Sequence, residues 1–250
     1  MFSFLILGVV PALFWIWLFY IFNRYKRTSA KLLLLLFMGG LLCGLLALTL
    51  NHIVEKYTIF WSDAQETSSL FDFIPPLPLH SLGFWVMVGF NEELAKLVVI
   101  LLIAYPSRDF QEPFDGVLYA AVVALGFATI ENAFYVEQYG FSILLTRTLI
   151  TLPTHIFMSA PMGFYVARSR FALHDNPTEQ KIHLESIVLL LKGWGIAALL
   201  HAGYDSLLSL GFKEWAYAQL FIMGGVTLVL RSRCLQLSQL APPSVNYSNR

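Results

Sequence analysis

Charge is what this sequence has least of. Only 13% of its 250 residues are Asp, Glu, Lys or Arg, about half the share in a soluble domain. A solvated globular domain is therefore not expected anywhere in the chain. Sixteen basic residues balance sixteen acidic ones, so no net field draws in nucleic acid, and no nucleic-acid partner is expected. Cysteine is scarce: Cys43 sits in an apolar run and Cys234 near the C-terminus. Neither has metal-ligand spacing to a partner, and the reading is helix packing and a free thiol rather than a disulfide. The N-terminus lacks a positive region, and its apolar run to about Phe22 is too long for a signal-peptide core. It reads as a retained first helix. No His-Glu-x-x-His spacing occurs, which removes the commonest zinc-protease signature. No Ser or Cys stands in motif spacing with a histidine and an acid, which argues against covalent catalysis.

What is present is apolar length. Hydrophobic residues make up 57% of the chain, with 21 Phe among them. A spanning helix needs about 20 such residues, and seven segments supply them. They run roughly 2–22, 32–50, 79–105, 114–137, 142–167, 186–210 and 215–230. Pro11 lies inside the first, and Pro153 and Pro161 inside the fifth. The fold class expected is all-α, a polytopic transmembrane bundle of about seven spanning helices. One integral membrane domain covers 1–240, with its functional core at about 79–210, and 241–250 reads as a disordered tail. Loop lysines and arginines test the topology. Arg24, Lys26, Arg27, Lys31, Arg108, Arg168, Arg170, Lys181, Arg231 and Arg233 fall on one side, against little more than Lys56 and Lys213 on the other. The N-terminus is then outside and the C-terminus cytoplasmic, in a multi-pass protein of the cell membrane. Gly39, Gly40 and Gly44 offer close helix approach, and Gly193 and Gly195 are assigned to packing. The connection 51–78 ends in Phe71-Asp72-Phe73-Ile74-Pro75-Pro76-Leu77-Pro78, which its prolines keep from being a regular helix. Its position suggests a gate on the outer side.

The third segment carries Phe90-Asn91-Glu92-Glu93-Leu94-Ala95-Lys96. A charge at such depth costs on the order of 3 kcal/mol, so these groups need partners, water, a metal or a substrate. Glu92 and Lys96, four apart, share a helix face and are expected to pair, which leaves Glu93 about a hundred degrees round the helix. The fourth segment adds Glu131 and Asn132, the fifth His155 after Pro153, the sixth His201 with Asp205 one turn on. Pro153 frees a backbone carbonyl near His155 and widens a polar cavity. Any one of these groups is explained as polar glue between helices. Four consecutive segments that each offer an acid, an amide or an imidazole at similar depth point to one shared site in the outer half. Arg147 is expected to snorkel outward and Lys192 toward the cytoplasm. His52 and His80 lie at segment ends, and His174 and His183 in a solvated loop.

At these residues the sequence resembles the PrsW-type intramembrane proteases, and more distantly the CAAX prenyl endopeptidase and bacteriocin-immunity superfamily. The resemblance rests on Glu92-Glu93-Leu94-Ala95-Lys96, Phe127 to Asn132, His155, and His201 to Asp205, in that order. Prenyl endopeptidases show Glu-Glu-x-x-x-Arg and His-x-x-x-Asn; here the basic residue comes one position earlier and the last motif ends in aspartate, which favours the PrsW branch. The resemblance implies hydrolysis of peptide bonds in membrane-anchored protein substrates, an anti-sigma factor in a stress response among them.

Peptide hydrolysis needs an activated water, an oxyanion stabiliser and a proton for the leaving amine. Glu92 or Glu93 is the expected base, with His155 and His201 at the scissile bond and Lys96, Asn132 and Asp205 in support. In a metal version, His155, His201 and Glu131 hold zinc. In a metal-free version, a glutamate activates water while His201 and Asn132 stabilise the oxyanion. A proton- or cation-coupled transporter would use the same carboxylates as a relay, but the inverted repeats of such folds are not visible. The same residues would also suit a prenyl-protein endopeptidase, or a non-catalytic protein that binds partner helices in a polar pocket.

Overall fold

The computed structural model describes residues 2–22, 28–63, 79–171 and 179–240. The basic loop at 23–27, the proline-rich stretch at 71–78 with its suggested gate, His174 and the tail at 241–250 lie outside the described residues, as do the side chains of His80 and His183.

Among the described residues, seven helices stand where the apolar segments were read. They are α1 (Phe2–Phe22), α2 (Ala30–Asp63), α3 (Leu79–Val99), α4 (Pro113–Tyr139), α5 (Phe141–Phe171), α6 (Glu179–Ser209) and α7 (Lys213–Leu240). A π turn, Ile100–Ala104, extends α3, and a second, Arg147–Thr151, interrupts α5. Among the described residues, five stretches are long and apolar enough to cross a membrane: Ala30–Glu55, Pro113–Tyr139, Phe141–Phe171, Leu184–Ser209 and Lys213–Ser238. The protein is thus a multi-pass, all-helical membrane protein. Two helices outlast their apolar segments by ten residues or more: α2 runs past Leu50 to Asp63, and α7 past Leu230 to Leu240. Apolar character stops at the membrane surface, whereas intrahelical hydrogen bonding continues wherever propensity allows.

Helix α4 is the hub. Nineteen of its 27 residues are buried, and it packs on α1, α2, α5 and α7. Its start is fixed by Pro113 at the first helical position and a capping box between Glu112 and Asp115, which satisfies otherwise orphaned amides. Small residues let its neighbours come close. A Cβ on Gly126 would stand 2.2 Å from the Phe37 carbonyl oxygen, and one on Gly40 2.3 Å from that of Val123. The close approach read at Gly40 therefore holds. Gly193 also packs, a Cβ there lying 2.7 Å from Tyr165, but Gly195 has nothing within 4 Å and plays no packing role. The outer surface carries large exposed apolar groups such as Phe221, Trp215 and Leu145, suited to lipid.

The pairing of α3 with α6 sets the site. Gly89 lies against the backbone of Ala198 and Ala202, and Trp194 Nε1 donates to the Phe90 carbonyl at 3.2 Å. The motif on α3 is thereby pressed onto His201. At the opposite end, Arg170 donates to the carbonyls of Tyr105, Ser107 and Phe110 and ties α5 to the turn after α3. Cys43 and Cys234 are both buried free thiols.

Candidate active site

Glu93 and Lys96 are fully buried and form an ion pair, Nζ to Oε1, at 2.6 Å. The pairing expected between Glu92 and Lys96 is not the one made. Spacings of three and four both lie on one helix face, and here the Lys96 ammonium turns inward to Glu93. It also lies 4.3 Å from the centre of the Phe127 ring and 3.4 Å from His155 Nδ1. Glu93 is then fully engaged: Ser159 Oγ donates to its Oε2 at 2.8 Å, and His201 Nδ1 lies 2.9 Å from its Oε1. A carboxylate holding Nδ1–H orients the imidazole and leaves Nε2 as the free, basic nitrogen.

Glu92 points elsewhere. Asn51 Nδ2 on α2 donates to its Oε1 at 2.9 Å, and Asn51 Oδ1 accepts from Asn91 Nδ2 at 2.8 Å. The other oxygen, Oε2, is buried without a hydrogen bond and lies 3.5 Å from His201 Nε2. Asp205 Oδ2 approaches the same nitrogen at 3.4 Å. The rings of His155 and His201 meet edge to face, 5.2 Å apart.

Glu131 faces this group from α4. Its Oε2 lies 2.8 Å from His155 Nε2 but without the alignment of a hydrogen bond. Its Oε1 accepts from Arg147 Nη2 at 2.8 Å, while Arg147 Nε donates to Asn132 Oδ1 at 2.5 Å. The guanidinium also stacks 3.7 Å over the Tyr135 ring. Arg147 was expected to snorkel outward; it turns into the site instead. The π turn is the reason. Eight residues of regular α-helix would put Arg147 about 80° from the face of His155 at 100° per residue. A π bulge absorbs one residue, so the eight act as seven and the offset falls to about 20°. Both side chains then reach the same carboxylate. Pro153 follows the bulge, and Thr154 Oγ1 donates to the Ile150 carbonyl at 2.6 Å.

A cavity of about 910 Å³ gives access, with Glu92, Glu131, His155, His201 and Asp205 on its wall beside Asn51, Tyr135 and Arg147. Its wall also includes His52 and Glu55, just past the apolar run of α2, and Gln138, Tyr139 and Ser209, where α4 and α6 end. Glu93, Lys96 and Asn132 lie outside the wall. The expected residues are all gathered, therefore, but in two layers, with Glu93 and Lys96 beneath Glu92 and the histidines. Asn51, Arg147 and Ser159 were not read as site residues. Asn51 falls past the apolar run, the face of Arg147 depends on the π turn, and a lone serine carries no pattern.

Among the described residues, one carboxylate–imidazole group is compact enough to hold a metal ion. Ligand atoms of Glu92, His155 and His201 lie within 4.8 Å of one another. The expected set used Glu131 in place of Glu92. The donor chemistry suits a cation: two unbonded carboxylate oxygens, on Glu92 and Glu131, converge on imidazole nitrogens where no proton donor other than the rings themselves is supplied.

A buried Glu/His cluster reached by a cavity inside a helical membrane bundle fits the class of intramembrane hydrolases. Residues 28–230 match the family model described as "PrsW family intramembrane metalloprotease", and the chain belongs to that family. It is 28% identical over 217 residues to Protease PrsW of Geobacillus kaustophilus, covering 87% of this chain and 84% of that one. Protease PrsW of Bacillus subtilis is 26% identical over 223 residues, 89% and 90% of the two chains. That of Halalkalibacterium halodurans is 28% identical over 243 residues, 96% and 98%. No solved structure matches. The protein is an intramembrane peptidase with a protein substrate.

Proposed function

We propose that Glu92, His155 and His201 hold a catalytic zinc ion and that Glu131 acts as the general acid–base in cleaving a membrane-anchored protein. The observation that carries this is the mutual proximity of the three ligand atoms within 4.8 Å on the cavity wall. Two nitrogens and one carboxylate oxygen are a common catalytic zinc set, with a fourth position open. Zinc bound there supplies Lewis-acid activation of water and of the scissile carbonyl.

The remaining work falls to the chain. Glu93 holds His201 by Nδ1 and so aims Nε2 at the site. Lys96 offsets the Glu93 charge. Glu131 Oε2, which lies against His155 Nε2 at 2.8 Å, takes the proton of the attacking water and returns it to the leaving amine, the two steps a general acid–base performs. Asp205 stands beside His201 as a further acceptor. The mouth of the cavity lies at the end of the bundle that loop charge assigns to the outer side, so the substrate is cut there, within or just beside its membrane anchor. An anti-sigma factor is the first substrate class to try.

Elemental analysis of the purified protein tests the metal. About one zinc per chain is expected, lost in Glu92→Gln and His201→Ala but retained in Glu131→Gln, with cleavage lost in all three. A full zinc complement in Glu92→Gln contradicts the ligand set. One observation favours a second reading: the Lys96 ammonium faces His155 Nδ1, a partner that suits an imidazole protonated at Nε2 better than a ligand. In that reading Glu92 activates water without metal, and chelator-treated protein with no residual zinc still cleaves.

A further inference from the structure

The two glutamates on the cavity wall are held in the same way by residues outside every motif. Glu92 has Oε1 bonded by Asn51 Nδ2, and Oε2 buried and unbonded. Glu131 has Oε1 bonded by Arg147 Nη2, and Oε2 buried and unbonded. In each case the unbonded oxygen is the one that faces an imidazole, His201 for Glu92 at 3.5 Å and His155 for Glu131 at 2.8 Å. A carboxylate is two-fold symmetric about its last bond, so nothing in its own chemistry selects which oxygen turns inward. The selection comes from the donors.

Each donor is itself fixed. Asn51 Oδ1 accepts from Asn91 Nδ2, so the amide cannot flip without losing both bonds. Arg147 is held by Asn132 Oδ1 and by the Tyr135 ring, and by a π turn that brings it round to the face of His155. We propose that Asn51 and Arg147 are a pair of positioning residues that pin the Oε1 atoms of Glu92 and Glu131 and so present both Oε2 atoms to the histidine pair. Each bonds the Oε1 atom of its glutamate and leaves Oε2 unbonded.

The inference rests on Glu92 and Glu131 acting in hydrolysis, and it holds with or without a metal. Purified full-length wild-type protein, Asn51→Leu and Arg147→Met are compared on a single-span membrane protein cleaved by the wild type. Partners of this kind are worth about 10–100-fold in metal affinity or activity. The expected result is a fall of that size in kcat with KM within about twofold, and a like fall in zinc affinity of metal-stripped Asn51→Leu measured by chelator competition. Glu92→Gln is the reference. In the Asn51→Leu/Glu92→Gln double variant the asparagine change adds nothing to residual rate or zinc binding, an outcome that a purely structural role does not give. The milder Asn51→Ser and Arg147→Lys shorten or simplify the donor; they lower kcat by a smaller factor while unfolding like the wild type, and carry the test if the first pair does not fold. Wild-type kcat in folded Asn51→Leu and Arg147→Met, with Glu92→Gln inactive, overturns the inference alone. Wild-type cleavage by Glu92→Gln overturns the reading beneath it.

Discussion

Lys96→Met is the sharpest perturbation of the buried layer. Lys96 and Glu93 are wholly inaccessible and 2.6 Å apart. At that distance their attraction is about 6 kcal/mol with an effective dielectric constant of 20. Part of this offsets the desolvation of the ammonium, which the variant no longer suffers. What remains is a buried carboxylate with Ser159 and His201 as its partners and no positive lysine. Breaking one side of such a pair costs about 3–5 kcal/mol. Methionine keeps the length and apolar bulk of the stem, so the packing against Phe127 survives and the loss reports charge. The assay is equilibrium unfolding in mixed micelles with increasing sodium dodecyl sulfate. Lys96→Met is expected to lose about 3–5 kcal/mol, and Lys96→Met/Glu93→Gln to regain most of it, because neutral partners of similar shape can replace a buried pair at little net cost. A loss below about 1 kcal/mol in the single variant, or no recovery in the double, refutes the buried pair as the support of the site.

Two further predictions concern the scaffold. Gly126→Ala puts a methyl group 2.2 Å from the Phe37 carbonyl oxygen and is expected to cost at least about 1–3 kcal/mol, whereas Gly195→Ala meets nothing within 4 Å and should gain roughly 0.5–1 kcal/mol from helix propensity; the same unfolding assay ranks them. Arg170→Ala removes three hydrogen bonds to carbonyls of the turn after α3, and a loss of about 2 kcal/mol is expected together with faster amide exchange in residues 105–112.

The sequence made the membrane bundle legible because apolar length is a one-dimensional signal, and it made the four motifs legible because charge at depth demands explanation. Side-chain pairing was less accessible. Glu92, Glu93 and Lys96 lie within five residues, and spacings of three and four are equally compatible with a helix face; only the packing of α6 and Ser159 decides that Glu93 takes the lysine. Arg147 lay beyond reach because a regular helix turns it away from His155, and the π turn that corrects this is marked in sequence only by Pro153 a little further on. Asn51 was lost for a different reason. Hydropathy ends α2 at Leu50, but the helix runs on to Asp63, and its first polar residue past the apolar run is the one that binds Glu92. In the proposed function Glu131, read from sequence as a ligand, and Glu92, read with Glu93 as the base, exchange roles, because the compact ligand group is Glu92, His155 and His201.

In the proposed function the carboxylates and histidines of α3, α4, α5 and α6 form one hydrolytic site. Purified protein in liposomes, given a single-span membrane protein substrate, tests it most directly beside Glu92→Gln, Glu131→Gln and His201→Ala. Cleavage within or beside the substrate's span is expected from the wild type, and none from any of the three folded variants. Cleavage at the wild-type rate by any one of them contradicts it.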